Sequence, residues 1–380
     1  MAKRHLPIRR LITALGISFA LTARAFSPDE YRQPPEHWPP AQVAEQAGPV
    51  PELAPLPALP PVEWHTPATE ALGKNLFFDP RLSGSGQIAC ASCHDPDLGW
   101  ADGRRLAFGH DRQTGTRNSM SILNAARFRD LFWDGRAEGV LEQALQPITN
   151  PVEMNADLDQ VLTRLNCIPD YRQAFADAFS PGPVTAERLA QALAAFVRSV
   201  QSRPNRLDRF ILGDYDQLNN QEILGLHLFR TRAGCLNCHN GSLYSDGQFH
   251  HTGLSYYGRA LEDRGRELAT DRAEDRGKFR TPSLRDLDYT GPWMHNGVFS
   301  SLRGILNMYN AGMIGKAQLH PDLPPLSPLI RPLNLDATEL DALEAFLHTL
   351  SQQPVILRPP PLPADPPSDQ ASLLKAKAGS

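Results

Sequence analysis

Two five-residue runs constrain this chain more than any other feature: Cys90-Ala91-Ser92-Cys93-His94 and Cys235-Leu236-Asn237-Cys238-His239. They begin 145 positions apart, at 90 and 235, and use four of the five cysteines in the 380-residue sequence. Two thiols three positions apart, followed at once by a histidine, suit covalent attachment of one haem c. Each thiol adds to a vinyl group, and the histidine ligates the iron from the proximal side. A zinc site, a redox dithiol or a structural disulfide could use similar spacings. Zinc, however, wants four ligands, and sharing them across 145 residues is awkward. A redox dithiol has no need of a histidine after both copies. Two covalent haems, with His94 and His239 on the irons, use every chemical group of both runs.

The runs lie within a looser repeat. Leu72-Gly73-Lys74-Asn75-Leu76-Phe77 precedes the first, and Leu224-Gly225-Leu226-His227-Leu228-Phe229 precedes the second. Each unit closes in an amphipathic run. The first, over 185–200, carries Leu189, Leu193, Phe196, Val197 and Val200 at helical spacing. The second carries Leu340, Leu343, Leu347 and Leu350, with Asp336 and Glu339 as a capping pair at its start. This pattern predicts two copies of one helix–motif–helix module. Strand signals are sparse and the connections are rich in Gly and Asp, so the expected fold is mostly α. Its two cytochrome c-like haem domains, with long loops, would span 68–205 and 206–352.

The ends of the chain read differently. Lys3, Arg4, Arg9 and Arg10 precede an apolar run from Leu11 to Leu21, and Ala23-Arg24-Ala25 offers a cleavage site, so 1–25 reads as a signal peptide for export to the periplasm. An uncleaved membrane anchor is the alternative. Cleavage would lower Lys+Arg from 38 to 33 against 42 Asp+Glu, a net charge of −9. With no basic excess, nucleic acid is not an expected partner. No apolar run of about 18 residues follows, so no membrane span is expected after cleavage. The 35 prolines concentrate in an N-terminal segment, 26–67, and in a tail, 353–380, each expected to be a linker or a belt over the fold. Cys167 is left over and reads as an inert buried thiol.

Between and after the pentads stand further motifs: Phe132-Trp133-Asp134-Gly135-Arg136-Ala137, Asn150-Pro151-Val152-Glu153-Met154, Phe279-Arg280-Thr281-Pro282-Ser283-Leu284-Arg285 and Thr290-Gly291-Pro292-Trp293-Met294-His295-Asn296-Gly297. Together with the pentads they resemble the bacterial di-haem cytochrome c peroxidases and their MauG-type relatives, over about 68–352. The resemblance implies two haem domains packed around an inter-domain haem–haem interface, with Trp133 between the haems. It places Gln143 and Glu153 over the open face of the first haem, where a carboxylate can move a proton between the peroxide oxygens. His110, in Gly109-His110-Asp111-Arg112-Gln113, falls where the peroxidase branch keeps a detachable ligand that MauG-type proteins lack; an exposed loop histidine is the alternative. Asn118, Thr290 and Pro292 align with oxygen donors to a calcium ion. The sixth ligand of the second haem is a methionine in the peroxidases and a tyrosine in MauG-type proteins. Counting from His295 reaches Tyr309, and a slip of one residue reaches Met308.

The resemblance therefore implies a periplasmic enzyme that reduces hydrogen peroxide with electrons from a small donor protein, a c-type cytochrome or a copper protein. In the MauG-like form a high-valent di-haem state would oxidise aromatic residues of a partner protein. A non-catalytic di-haem electron carrier is the reading from another class.

Overall fold

The computed structural model describes residues 26–313 and 320–364. The signal-peptide reading of 1–25 and the end of the tail, 365–380, lie outside the described residues. The fold is mostly α, with two small antiparallel ribbons: β1 (Asp130–Leu131) with β2 (Ala137–Glu138), and β3 (Phe249–His251) with β4 (Lys278–Arg280). Among the described residues, no helix is long and apolar enough to cross a membrane.

The first half contains α1 (Pro67–Phe78), α2 (Gly139–Gln143), α3 (Gln146–Thr149), α4 (Leu158–Cys167), α5 (Pro169–Ala178) and α6 (Ala186–Ser199). The second contains α7 (Arg206–Ile211), α8 (Asn220–Arg230), α9 (Glu267–Thr270), α10 (Leu302–Asn310) and α11 (Ala337–His348). Local chemistry sets the ends of the main helices. Thr66 caps α1 ahead of Pro67, Thr185 caps α6, and Asn219 with Glu222 and Asp336 with Glu339 form capping boxes on α8 and α11. The amphipathic run over 185–200 is thus α6, and the Asp336–Glu339 pair does cap the second closing helix.

In each half the helix before the pentad packs on the closing helix, α1 on α6 and α8 on α11. Both crossings are close because a glycine sits at the contact. A methyl on Gly73 would stand 1.8 Å from Ala192 O, and one on Gly225 would stand 2.0 Å from Ala342 O. Around these pairs form two apolar clusters. One includes Leu72, Leu76, Phe77, Leu189, Leu193 and Phe196; the other includes Ile223, Leu226, Phe229, Leu343, Phe346 and Leu347.

The proline-rich ends belong to these clusters. Tyr31, Trp38 and Leu53 are buried in the second, and Leu357 packs against the first. Proline carries no N–H, so such a segment offers mainly carbonyl acceptors, and arginines of the folded halves supply the donors. Arg230 donates to Pro39 O at 2.8 Å, Arg127 to Pro57 O at 2.8 Å and Arg81 to Pro363 O at 2.9 Å; Arg198 donates to Pro60 O. The belt expectation describes 26–66 better than the linker one.

Candidate haem-binding and peroxide site

Each pentad folds into one 3-10 turn, Cys90–Ser92 and Cys235–Asn237. The backbone N–H of His94 donates to Cys90 O at 3.0 Å, and that of His239 to Cys235 O at 2.9 Å. Both turns face one cavity of about 470 Å³, whose wall includes Cys90, Cys93, His94, Cys235, Cys238 and His239. The two imidazoles are oriented alike. His94 Nδ1 lies 3.2 Å from Trp100 O, and His239 Nδ1 lies 3.1 Å from Tyr244 O. A carbonyl only accepts, so Nδ1 carries the proton and Nε2 keeps its lone pair for a metal. Burial also holds both imidazoles below their ordinary protonation range.

The sulfurs argue against the other uses of this spacing. All five cysteines are free, and burial pushes the Cys90, Cys93 and Cys235 thiols up to about 12. Neutral buried thiols are poor zinc ligands and poor redox nucleophiles. Cys238, Asp246 and His250 do bring three ligand atoms within 4.8 Å of one another, but among the described residues the first pentad has no such group. Zinc would explain only one copy. Haem fits both. Three buried polar atoms of residues on the cavity wall, Arg280 Nη1, His295 Nε2 and Trp293 Nε1, have no partner among the described residues. The Arg280 and Trp293 N–H groups are donors and call for acceptors, and haem carries two propionate carboxylates.

Trp133 stands on the loop between β1 and β2 and is 7% exposed. Its Nε1–H donates to Asn118 O at 3.0 Å, and its own carbonyl accepts from the Arg280 N–H of β4 at 2.9 Å. Its ring meets the His295 ring edge-on at 6.4 Å, while Phe279 stacks on His295 at 3.6 Å. Burial holds His295 down to about 3, so it is neutral. Arg117 donates to Asp263 at 2.7 and 2.8 Å and to Asp134 at 2.6 Å, which joins the two halves beside this cluster. Asn118, Thr290 and Pro292 line the same cavity. The Asn118 side-chain amide donates to Arg104 O at 2.9 Å.

Gln143, at the end of α2, and Glu153 also line the cavity. Asn150 Nδ2 donates to Glu153 Oε1 at 2.7 Å. Burial raises the Glu153 carboxyl above the ordinary range, against the pull of Arg136 and Asn150. Glu153 stands close enough to the first pentad for its charge to add to the rise of Cys90 and Cys93. His110 is not brought to the cavity wall, although its neighbour Gly109 is. Its Nε2 lies 3.3 Å from Asp111, and its Nδ1 is buried without a partner among the described residues. On α10, Tyr309 lines the cavity and Met308 does not, because adjacent positions on a helix point about 100° apart. Burial raises the Tyr309 phenol well above its usual range, with Cys238 and Cys235 adding to the rise.

The sequence motifs point to no role for Arg280, Trp293, Arg117 or Tyr244, and His295 serves there only as the origin of the count to Tyr309. The first two and His295 sit inside the quoted motifs. A polar side chain embedded in a run that lines the cavity was the available signal.

The family model for di-haem cytochrome c peroxidase matches residues 67–216. The methylamine utilization protein MauG of Methylorubrum extorquens is 40% identical over 316 residues, covering 82% of this chain and 86% of that protein. Cytochrome-c peroxidase IdrP1 of a Pseudomonas species is 36% identical over 348 residues, covering 83% and 90%. Among solved structures, a MauG-like protein associated with microbial copper homeostasis superposes with a TM-score of 0.68 at 30% identity, covering 84% of this chain and 95% of that one. With both pentads on one cavity and these relatives across most of its length, the chain belongs to the di-haem cytochrome c peroxidase and MauG family and is an oxidoreductase acting on peroxide.

Proposed function

We propose that this protein is a periplasmic peroxidase of the tyrosine-ligated, MauG-like branch, with its peroxide site at the first pentad. One observation supports the reading: the cavity lined by both pentads is also lined by Gln143, by Glu153 near Cys90 and Cys93, and by Tyr309 near Cys235 and Cys238, but not by Met308. His94 and His239 would hold the two irons, the four paired cysteines would anchor the haems, and Arg280 would meet a propionate. Haem, when bound, supplies an iron that exchanges electrons and cleaves the oxygen–oxygen bond of peroxide.

The chain's own residues would then handle protons and order. Reduction of hydrogen peroxide to two waters takes up two protons and two electrons. Glu153 Oε1 is engaged by the Asn150 amide, which leaves Oε2 to take the proton from the near peroxide oxygen and pass it to the far one. Gln143 would orient the peroxide. Trp133, fixed at both its indole N–H and its carbonyl, would couple the two centres. His110 lies off the cavity wall, which supports a first site without a detachable distal ligand. Asn118, Thr290 and Pro292 share that wall and would hold calcium between the halves. Electrons would come from a small donor protein or from aromatic residues of a protein substrate.

The test is to mix the fully oxidised protein with one equivalent of peroxide and no reductant. Consumption of the peroxide is expected. A protein that leaves it untouched until one electron is added belongs to the methionine-ligated branch, and the reading falls.

A further inference from the structure

In both copies the carbonyl that fixes the proximal imidazole belongs to a buried aromatic residue in the left-handed region. Trp100 has φ +62° and Tyr244 has φ +52°. That region is unfavourable for a bulky side chain and persists only where the surroundings impose it. The loops differ in length, the acceptor lying six residues after His94 but five after His239. What recurs is the conformation, the aromatic ring and its burial, at 5% and 0% exposure.

We propose that Trp100 and Tyr244 are positioning residues, whose packed rings hold the backbone left-handed so that the carbonyl sets the orientation and donor strength of His94 and His239. The proposal rests on reading those histidines as iron ligands.

The anchors are of opposite character. The Trp100 ring meets Phe77 of α1 and Phe196 of α6 edge-on, each at 5.9 Å, so the first copy is held by the apolar crossing of its own helix pair. The Trp100 carbonyl also accepts from the Ile122 N–H at 3.2 Å. The Tyr244 ring is held by polar groups. Its hydroxyl donates to Asp208 Oδ1 at 3.0 Å, Arg285 grips Asp208 at 2.8 and 2.9 Å, and the Arg285 guanidinium lies 4.2 Å over the ring. Arg285 also donates to Ala54 O of the N-terminal belt at 3.0 Å. A hydrogen bond from the far nitrogen of a ligating histidine raises its basicity and so favours the oxidised metal. Each copy therefore has its own control, one apolar and one ionic, over a centre that shares a cavity with the other.

The experiment measures the two midpoint potentials and the ferric electron paramagnetic resonance spectrum, alongside haem per chain from the pyridine haemochrome of denatured protein. Tyr244→Phe removes only the hydroxyl. The potential of one haem is expected to rise and its ferric signal to shift, with the other haem unchanged and two haems retained. Asp208→Asn should do the same with the ring untouched, and it serves if Tyr244→Phe does not fold. Trp100→Leu should shift the other haem, and Trp100→Phe, which keeps an aromatic ring, should restore it. Wild-type potentials and spectra in both Tyr244→Phe and Asp208→Asn, or equal shifts of both haems, overturn the proposal. Fewer than two covalent haems in the wild-type protein would instead overturn the haem reading beneath it.

Discussion

Glu153 is useful only if it can change its protonation, and its surroundings bear on that directly. Burial lifts its carboxyl above the ordinary range while Asn150 and Arg136 pull it back. The base form is lost as pH falls through that raised value, so the acid limb of the peroxide rate should lie above the ordinary 4.5 of a glutamate. Glu153→Gln keeps the shape and cannot carry the proton. Peroxide turnover should fall at least tenfold, about 1.4 kcal/mol of barrier, with two haems retained and the acid limb abolished. Single-turnover kinetics across pH measure both effects, and an unchanged rate removes Glu153 from the mechanism. Tyr309 decides a second point. Counting along the sequence could not separate it from Met308, because a one-residue slip is invisible in a loop of uncertain length; the rotation of α10 separates them by putting only Tyr309 on the cavity wall. Tyr309→Met should raise the potential of one haem and make peroxide consumption depend on prior reduction, as followed by stopped-flow mixing. If Met308→Leu has that effect and Tyr309→Met does not, the assignment is reversed.

Helix pairing was legible from the sequence, because the repeated Leu-Gly motifs and the two amphipathic runs survive as α1, α6, α8 and α11. Their caps were legible too, since Asp336 and Glu339 act within four residues of each other. What no periodicity announces is why the glycines are there. Intrinsic propensity alone says that Gly73→Ala or Gly225→Ala should strengthen its helix by about 1 kcal/mol. The crossing says the reverse, since the added methyl meets Ala192 O or Ala342 O at about 2 Å. Backbone on both sides leaves nothing flexible to yield, so each substitution should cost about 1–3 kcal/mol or more. Thermal unfolding of the two variants gives the sign, and stabilisation by either would mean the helices can separate freely. The left-handed Trp100 and Tyr244 were illegible for the same reason: the sequence identifies them as aromatics, and only long-range packing dictates their backbone.

At the scale of the molecule, the two halves are fastened in ways that separate sequence positions by more than a hundred residues. The proline-rich ends read as either linkers or belts, because proline excludes regular structure without saying whether a segment packs; Tyr31 and Trp38 complete one core and Leu357 packs on the other. Inside the molecule the corresponding fastener is Arg117, which spans from Asp134 to Asp263 with its guanidinium above the Phe279 ring at 5.8 Å. Both carboxylates are buried, at 3% and 7% exposure. For Asp263, burial would raise the pKa, but the Arg117 hydrogen bonds outweigh it and hold the group below its ordinary 3.8. A depressed carboxyl contributes stability that is present above the unfolded value and lost as pH falls through the folded one. Arg117→Gln removes the cation and leaves the buried Asp263 carboxylate without its counter-charge, while Asp134 keeps Arg136 at 3.0 Å, a loss of about 3–5 kcal/mol for breaking a buried pair. At neutral pH the variant should therefore unfold at a much lower temperature than wild type. As the pH falls through the carboxylate range Asp263 protonates and the variant should recover, while the wild type begins to lose its own advantage. The two melting curves should converge toward acid, and thermal melts of both holoproteins at pH 7 and near pH 4 measure this. A deficit of equal size at both pH values would mean that Arg117 holds the halves together by packing rather than by charge.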